Sequence, residues 1–317
     1  MDNSGFGPCY DVARFGDLLD VQYDHMGTRL ATASGDGIVR VWSAQTQQLL
    51  SELRGHRAAV WSLSWTHGRF ATSLASVSSD GLIIIWREAA ACEWRIVHQL
   101  DIRGPVPVIA FCSHEHGVVL AAACSSGEVQ MLTRREITAS PVLPAGEQWQ
   151  AKPFRAHAGG VVALSWAPSA SPAILATGPA ARKAATCAPH RLATCGADGL
   201  LIVWAHDDKS DSWSVQSKLS DEQYCGMPRD VAWRPNVGIP SSMVAFCTQE
   251  GCVAIWVQDM DGQPWRLQAS WQVDGDARRL SWSKAGTLLG VSVGDANSLM
   301  YKEGPAGTWT QITSLDG

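Results

Sequence analysis

The sequence of 317 residues predicts an all-β fold, a six-bladed β-propeller. The first observation is a repeated hairpin. Its clearest copy, LASVSSDGLIIIW at 74–86, has two short apolar strands joined by an Asp-Gly turn, the strongest local signal for a β-hairpin. Similar hairpins lie at 30–42, 192–204 and 244–256, with weaker copies at 120–132 and 289–301. A unit that recurs in this way indicates a repeat architecture, and one continuous core can span several such units.

The second and third observations are the strands on either side of each hairpin. A short strand ending in an aromatic residue precedes every hairpin, and a fourth strand follows it, in most units with a tryptophan. We therefore treat 17–317 as one propeller and 1–16 as an N-terminal segment. Four antiparallel strands per unit predict blades at about 18–53, 59–100, 106–155, 160–219, 228–272 and 277–315.

The tryptophans keep the period of the repeat. Of the 15 tryptophans, four end first strands, four end third strands and five lie in fourth strands, which leaves only Trp61 and Trp271 outside these positions. Ligand-binding residues have no reason to follow a repeat, so we interpret nearly all of them as packing residues. One insertion, 171–190, lengthens the fourth blade and is expected to form a long loop.

The composition argues against several classes of protein. A net charge of −5 without any Lys/Arg cluster argues against direct contact with nucleic acid. The N-terminus has no apolar core of a signal peptide and no run reaches transmembrane length, so we expect a soluble chain. The nine cysteines include no CxxC pair and most lie in predicted strands, which favours buried, reduced thiols.

No pattern for catalysis or cofactor binding is present. The sequence contains no GxSxG, P-loop or GxGxxG motif, and we therefore expect no enzyme activity, no catalytic residue and no cofactor. The run His114-Glu115-His116 could offer metal ligands, but polar residues between two strands are ordinary in a loop. We expect no metal site there.

A buried hydrogen-bond relay is expected in the second blade. The WD-repeat signature there comprises His56, Ser78, Asp80 and Trp86. In this interpretation Asp80 accepts a hydrogen bond from the histidine, the histidine meets the serine hydroxyl, and the hydroxyl reaches the indole N–H. A catalytic His–Asp pair is the alternative, but the spacing favours a structural role. We expect only this blade to be complete, because the first lacks the histidine and the fourth has Gly196 in place of the serine.

Several longer motifs carry a family resemblance. They are GTRLAT at 27–32, LRGH at 53–56, VW at 60–61, IIWRE at 84–88 followed by Trp94, RDVAWRP at 229–235, GIPSS at 238–242, LSW at 280–282 and GD at 294–295. From about residue 17 to its end the chain resembles the Sec-thirteen family of WD-repeat propellers. The third blade departs from the pattern at Ser126 and Leu132, and the sixth ends in Tyr301. A sister subunit, the Seh-one-like propeller of pore and nutrient-signalling complexes, is therefore an alternative.

This resemblance implies an open propeller, completed by a seventh blade that a partner inserts. The implied partners are the large α-helical subunit of the COPII outer coat (Sec-thirty-one-like) and a scaffold nucleoporin of the nuclear pore Y-complex. The implied function is that of a non-catalytic scaffold in vesicle-mediated protein transport from the endoplasmic reticulum and in the pore, with its role in mRNA transport. The implied locations are the cytoplasmic face of ER-derived vesicles, the nuclear envelope and the cytosol, with membrane association through the coat only.

The strand count agrees with an open ring, because six blades of four strands leave only 5–16 as spare chain to latch the last blade to the first. We expect an inserted partner blade to be the remedy for the uncovered faces. The expected contacts are Leu19, Val21 and Tyr23 in the first blade, Leu280 and Trp282 in the sixth, and Phe6, Tyr10 and Val12 along the outer edge of the inserted blade. The alternative is that these side chains pack within their own blades. A second functional class is a closed propeller that acts as a peptide-recognition adaptor.

Overall fold

The described part of the chain is almost entirely β-structure. The computed structural model describes residues 16–113, 116–137, 146–168, 190–219, 226–235, 241–294 and 297–316. A short 3₁₀ turn lies at Pro305–Gly307. No helix in these ranges is long and apolar enough to span a membrane. The expected loop at 171–190 lies outside them except for its last residue.

Six sheets of four strands each make up the fold. The first three sheets contain β1 (Leu18–Tyr23), β2 (Arg29–Ser34), β3 (Ile38–Ser43) and β4 (Leu49–Arg54); β5 (Val60–Trp65), β6 (Ser73–Ser78), β7 (Leu82–Ala90) and β8 (Glu93–Asp101); and β9 (Val108–Phe111), β10 (Val119–Ala123), β11 (Glu128–Ile137) and β12 (Gly146–Arg155). The last three contain β13 (Val161–Trp166), β14 (Arg191–Gly196), β15 (Leu201–Asp207) and β16 (Ser212–Lys218); β17 (Pro228–Trp233), β18 (Ser242–Thr248), β19 (Cys252–Gln258) and β20 (Arg266–Gln272); and β21 (Ala277–Trp282), β22 (Leu288–Val293), β23 (Asn297–Glu303) and β24 (Trp309–Asp316).

Each sheet is an antiparallel meander, in which strands consecutive in sequence are neighbours. Six such sheets are the blades of a six-bladed β-propeller, so the predicted fold class is confirmed. We number the blades in chain order. The first strand of five blades carries a register shift near its start, as between Leu18 and Asp20 in β1 or Val60 and Ser62 in β5. Because the shift recurs, residues of different blades can be aligned by their cross-strand partners.

The chain divides into two compact units. The first contains Met1–Ser125 with Gln130–Lys152, and the second contains Ser126–Val129 with Pro153–Gly317. In the first unit β5 lies between β1 and β9, and in the second β17 lies between β13 and β21. We call the face of a blade that contacts the following blade its forward face, and the opposite face its backward face.

Apolar side chains fill the spaces between consecutive blades within each unit. Between the first two blades, Ala33 and Val39 on one forward face pack against Leu63 and Ile84 on the next backward face, and all four are at least 98% buried. Equivalent clusters lie between blades two and three, four and five, and five and six. Alternation along each strand supplies both faces, since successive side chains point to opposite sides of a sheet.

One tryptophan outside the repeat phases has a packing explanation. Trp271 of β20 lies opposite Val253 and stacks on Trp309 and against Tyr301 of the sixth blade, with ring centroids 6.2 Å and 4.7 Å apart. Tyr301 occupies the position at which four other blades carry a tryptophan. The extra tryptophan therefore fills space beside the smaller ring.

Candidate protein-interaction surface and the histidine relays

The first strand of blade one is exposed along most of its length. Leu18, Leu19, Val21 and Tyr23 have relative exposures of 44%, 39%, 40% and 56%. Apolar side chains are ordinarily buried in a strand that carries the core of a blade, so four exposed ones in a single strand make it a candidate interaction surface. We call the four residues Leu18, Leu19, Val21 and Tyr23 the β1 surface.

Comparison with the other blades shows how unusual this surface is. Val21 lies opposite Thr32 in the same register position that five other first-strand residues occupy in their blades. Each of these five equivalents is between 2% and 8% exposed: Leu63, Ile109, Leu164, Val231 and Leu280. In blades two, three, five and six the preceding blade of the same unit contributes to this cover. The backward face of β1 therefore has the composition of a covered face, but in the described part of the chain its side chains are exposed.

The residues expected to contact a partner fall into three groups by their position in the structure. Leu19, Val21 and Tyr23 belong to the β1 surface. Phe6, Tyr10 and Val12 lie outside the described residues. Leu280 and Trp282 instead face the preceding blade.

Leu280 and Trp282 belong to the packing of the second unit, against the preceding blade. Leu280 is 8% exposed, and its backbone N–H donates to Asp230 Oδ2 over 2.8 Å. The indole N–H of Trp282 donates to the carbonyl of Ala232 over 3.0 Å. Both side chains point backward into the cluster between blades five and six. A partner on the other side of this blade would meet the residues that alternate with them, Arg279 and Ser281.

The expected relay of the second blade is partly wrong. The indole N–H of Trp86 donates to Ser76 Oγ over 2.8 Å, and His56 Nε2 lies 2.6 Å from the same hydroxyl. Ser78 instead donates to the carboxylate of Asp80. The reason is distance along the strand: Ser78 is two residues beyond Ser76, about 7 Å at the rise of a β-strand, and lies at the turn.

The same blade leaves one histidine nitrogen without a partner. His56 Nδ1 is buried and makes no hydrogen bond. Burial lowers the pKa of His56 to about 4, although the charge of Asp80 works in the opposite direction. Hydrogen bonding from Ser78 is the main cause that lowers the pKa of Asp80. At neutral pH the ring is uncharged, and its Nε2 is hydrogen-bonded to the hydroxyl of Ser76.

The complete relay lies in the fourth blade, where it was not expected. The indole N–H of Trp204 donates to Thr194 Oγ1 over 2.9 Å, and His157 Nε2 lies 2.8 Å from that oxygen. On the other side of the ring, His157 Nδ1 lies 2.9 Å from Asp198 Oδ1. The polar atoms that meet in this chain all have partners, which is what burial requires.

Gly196 makes this arrangement possible. It occupies the position of Ser78, and a Cβ atom built on it would overlap the ring of His157. In blade two, where Ser78 occupies this position, the histidine makes no hydrogen bond to the aspartate; in blade four, where the position is a glycine, it does. Burial opposes ionisation of Asp198, but the neighbouring His157 and two backbone N–H donors bring its pKa below the ordinary value.

In the first blade an arginine, rather than a histidine, forms the hydrogen bond to the aspartate of the turn. The indole N–H of Trp42 donates to Thr32 Oγ1 over 3.0 Å. No histidine was expected in this blade, and Arg40, which is 4% exposed, donates to Ser34 Oγ over 3.0 Å and to Asp36 Oδ2 over 2.7 Å. The aspartate of this turn is therefore held by a side chain of its own blade.

A signal for the hydroxyl residue was present in the sequence. Thr32, Ser76 and Thr194 each lie ten residues before the tryptophan that ends the third strand. The position two residues later holds serine or glycine in the same three blades and lies beside the Asp-Gly turn, which made it the more conspicuous candidate.

Comparisons with known proteins agree with this architecture. The family model described as "WD domain, G-beta repeat" matches residues 12–43 and 47–87. The chain is 32% identical to "Protein transport protein sec13" of Aspergillus clavatus, over 94% of this chain and 99% of that protein. It is 34% identical to "Protein SEC13 homolog" of Drosophila melanogaster, over 93% of this chain and 80% of that protein. A third relative, "Protein transport protein SEC13" of Cryptococcus neoformans, is 31% identical over 94% of each chain. These matches confirm the resemblance: the chain belongs to the Sec13 family of WD-repeat β-propellers.

Proposed function

We propose that this protein is a non-catalytic scaffold subunit in protein transport, and that it binds a partner through the β1 surface. Two of the relatives named above are called protein transport proteins, which makes transport the first expectation for this chain. The observation that carries the proposal is the exposure of Val21, at a position where every other blade buries its equivalent. A scaffold subunit needs such a surface and no catalytic group.

A β segment of the partner fits this surface best. The faces equivalent to the β1 surface in blades two, three, five and six are covered by another blade, so a strand with apolar side chains reproduces a contact the fold already makes. Addition of strands from another chain is a common mode of recognition. We infer that the partner supplies a seventh blade and that the six-bladed propeller is open without it.

The partner we propose is a large α-helical subunit of the COPII outer coat, with a scaffold nucleoporin of the Y-complex as a second one. Either protein would contribute the inserted blade. The protein would then work on the cytoplasmic face of ER-derived vesicles and at the nuclear envelope, and would reach the membrane only through the assembled coat.

Co-purification with matched substitutions tests this proposal. Val21→Asp places a charge in the β1 surface, and Val215→Asp places the same charge on β16, where Val215 is 46% exposed. We expect the wild-type protein and the Val215→Asp variant to recover a long helical coat or pore protein from cytosol in near-equal amounts. We expect the Val21→Asp variant to recover at least about tenfold less of this partner.

Each other outcome contradicts a definite part of the proposal. If Val21→Asp retains the partner while thermal unfolding shows that both variants are folded, the β1 surface is not the contact. If the wild-type protein is recovered alone, or with varied short-peptide clients, it is not a scaffold subunit and the adaptor alternative becomes the better one. The identity of the recovered protein decides between coat and pore.

A further inference from the structure

Consecutive first strands are joined by a repeated hydrogen bond. Asp20 Oδ2 accepts the backbone N–H of Leu63 over 2.8 Å, and Asp230 Oδ2 accepts that of Leu280 over 2.8 Å. In blade two a serine has this role, since Ser62 Oγ accepts the N–H of Ile109 over 3.3 Å. We call this forward-facing residue the junction position. In these three blades it carries an acceptor for the following strand.

A second contact lies two residues further along the same face. Ser64 Oγ accepts the backbone N–H of Phe111, and Ser165 Oγ accepts that of Trp233, both over 2.9 Å. The serine hydroxyl here again receives an N–H group of the strand that follows. Together the two positions set the register of one first strand on the next.

The sixth blade changes the first contact and keeps the second. Its junction position is Arg279, which aligns with Asp20, Ser62 and Asp230 through its cross-strand partner, and the residue two further on is Ser281. Both are exposed, whereas Ser62 and Asp230 are 3% and 7% exposed.

Arg279 forms no ion pair with any of the described residues. Among them, no hydrogen bond or ion pair to its guanidinium is found, while its neighbour Arg278 pairs with Asp276 over 3.0 Å. A guanidinium has five donors and no acceptor. A covering strand that brought only a backbone N–H or an apolar side chain to Arg279 would bury the positive charge without a negative partner. Burial of an unpaired charge is unfavourable.

We propose that the strand covering the forward face of the sixth blade carries an aspartate or glutamate that pairs with Arg279 and donates a backbone N–H to Ser281. This inference rests on the proposed function, because it specifies the chemistry of the inserted segment. The positive charge of Arg279 calls for an acidic side chain on the partner strand, and the hydroxyl of Ser281 calls for a backbone N–H. The spacing of the two residues places the acid two residues before the residue that donates the N–H.

A second copy of this chain does not fit the site. The residues whose N–H groups face the junction position are apolar in every first strand of this protein, as Val21, Leu63 and Leu280 illustrate. None of these strands would bring a carboxylate to Arg279. The occupant is therefore a strand of a different protein.

A charge-reversal experiment tests the inference with the partner recovered by the wild-type protein as probe. Hydrogen–deuterium exchange of the purified complex identifies the protected partner segment. Each acid of that segment is then changed to arginine and combined with Arg279→Glu. We expect Arg279→Glu to weaken binding at least about tenfold, and one of the reversed acids to restore most of the loss.

Arg278→Glu is the matched control, because it reverses the adjacent charge. We expect it to change binding by less than about threefold, since Arg278 already has a partner. Equal binding by the wild-type protein and Arg279→Glu, a protected segment without an acid, or failure of every reversed acid to restore binding would each overturn the inference while leaving the scaffold function intact. Absence of any partner with the wild-type protein would instead overturn both.

Discussion

His157 donates its Nδ1–H to Asp198 over 2.9 Å, whereas His56, its equivalent in the second blade, has a buried Nδ1 without a partner. The difference originates in one side chain. Gly196 leaves room for the ring of His157, and Ser78 occupies the same position in blade two and takes the aspartate for itself. Two blades with almost the same signature thus have different internal hydrogen bonds.

Exchange of these two residues should exchange the two arrangements. We expect Gly196→Ser to destabilise the protein by about 2–4 kcal/mol, because the new side chain overlaps His157 and breaks its contact with Asp198. Urea unfolding measures the loss. Gly196→Ala is the control for volume: if it is tolerated as well as the wild type, the overlap is not the cause.

The reciprocal change, Ser78→Gly, should let His56 approach Asp80. The expected result is a rise in the pKa of His56 from about 4, since its Nδ1–H would gain a carboxylate acceptor. NMR titration of the histidine ring measures it. An unchanged value would show that Ser78 does not separate the two residues.

The relay hydroxyl should matter more than the serine beside the turn. Ser76→Ala removes the acceptor of Trp86 and the hydrogen-bond partner of His56 Nε2 at once, and leaves both groups buried without a partner. We expect a loss of about 2–3 kcal/mol in the free energy of unfolding. Ser78→Ala removes one hydrogen bond to Asp80, which keeps the backbone N–H of Leu82, and should cost about 1 kcal/mol or less. The reverse order would contradict the assignment of Ser76.

Acid should weaken the second blade through His56. Its pKa in the folded state, about 4, lies below the ordinary histidine value of 6.5. The unfolded chain therefore takes up the proton first as the pH falls. The contribution of the neutral ring is present above pH 6.5 and is lost between about pH 6.5 and pH 4, by at most about 3 kcal/mol.

The measurement is the free energy of unfolding as a function of pH for the wild-type protein and His56→Gln, which does not titrate. We expect the advantage of the wild type to shrink as the pH falls through this window. Parallel curves would show that His56 is not the group responsible.

Turn glycines should differ according to what lies beside them. Gly81 has φ of +87°, and an added Cβ would overlap the backbone of Gly104. Gly199 has φ of +78° with no atom within 4 Å of the same point. We expect Gly199→Ala to cost about 1–2 kcal/mol from the backbone conformation alone, and Gly81→Ala to cost clearly more. Equal losses in urea unfolding would show that the approach to Gly104 has no energetic weight.

The strands themselves could be predicted from the sequence more accurately than the contacts that their side chains make. Strand periodicity and the Asp-Gly turns were sufficient for the hairpins, and Trp86 and Trp204 end third strands as expected. Alternation shows that Leu280 and Arg279 point to opposite faces, but it does not show which face meets the preceding blade. For that reason the sequence did not show that Leu280 and Trp282 face the preceding blade. The role of Ser76 was missed for a similar reason. It depends on which side chain of one strand lies close to Trp86 on the neighbouring strand, and proximity to the turn in sequence does not show this.

The β1 surface also bears on how long a newly made molecule persists in the cell. Leu18, Val21 and Tyr23 stay exposed until something covers them, and uncovered apolar strands attract other chains and quality-control factors. Molecules synthesised in excess of the protein that covers β1 should therefore be removed. The steady-state abundance of this subunit would then follow the supply of its partner rather than its own rate of translation.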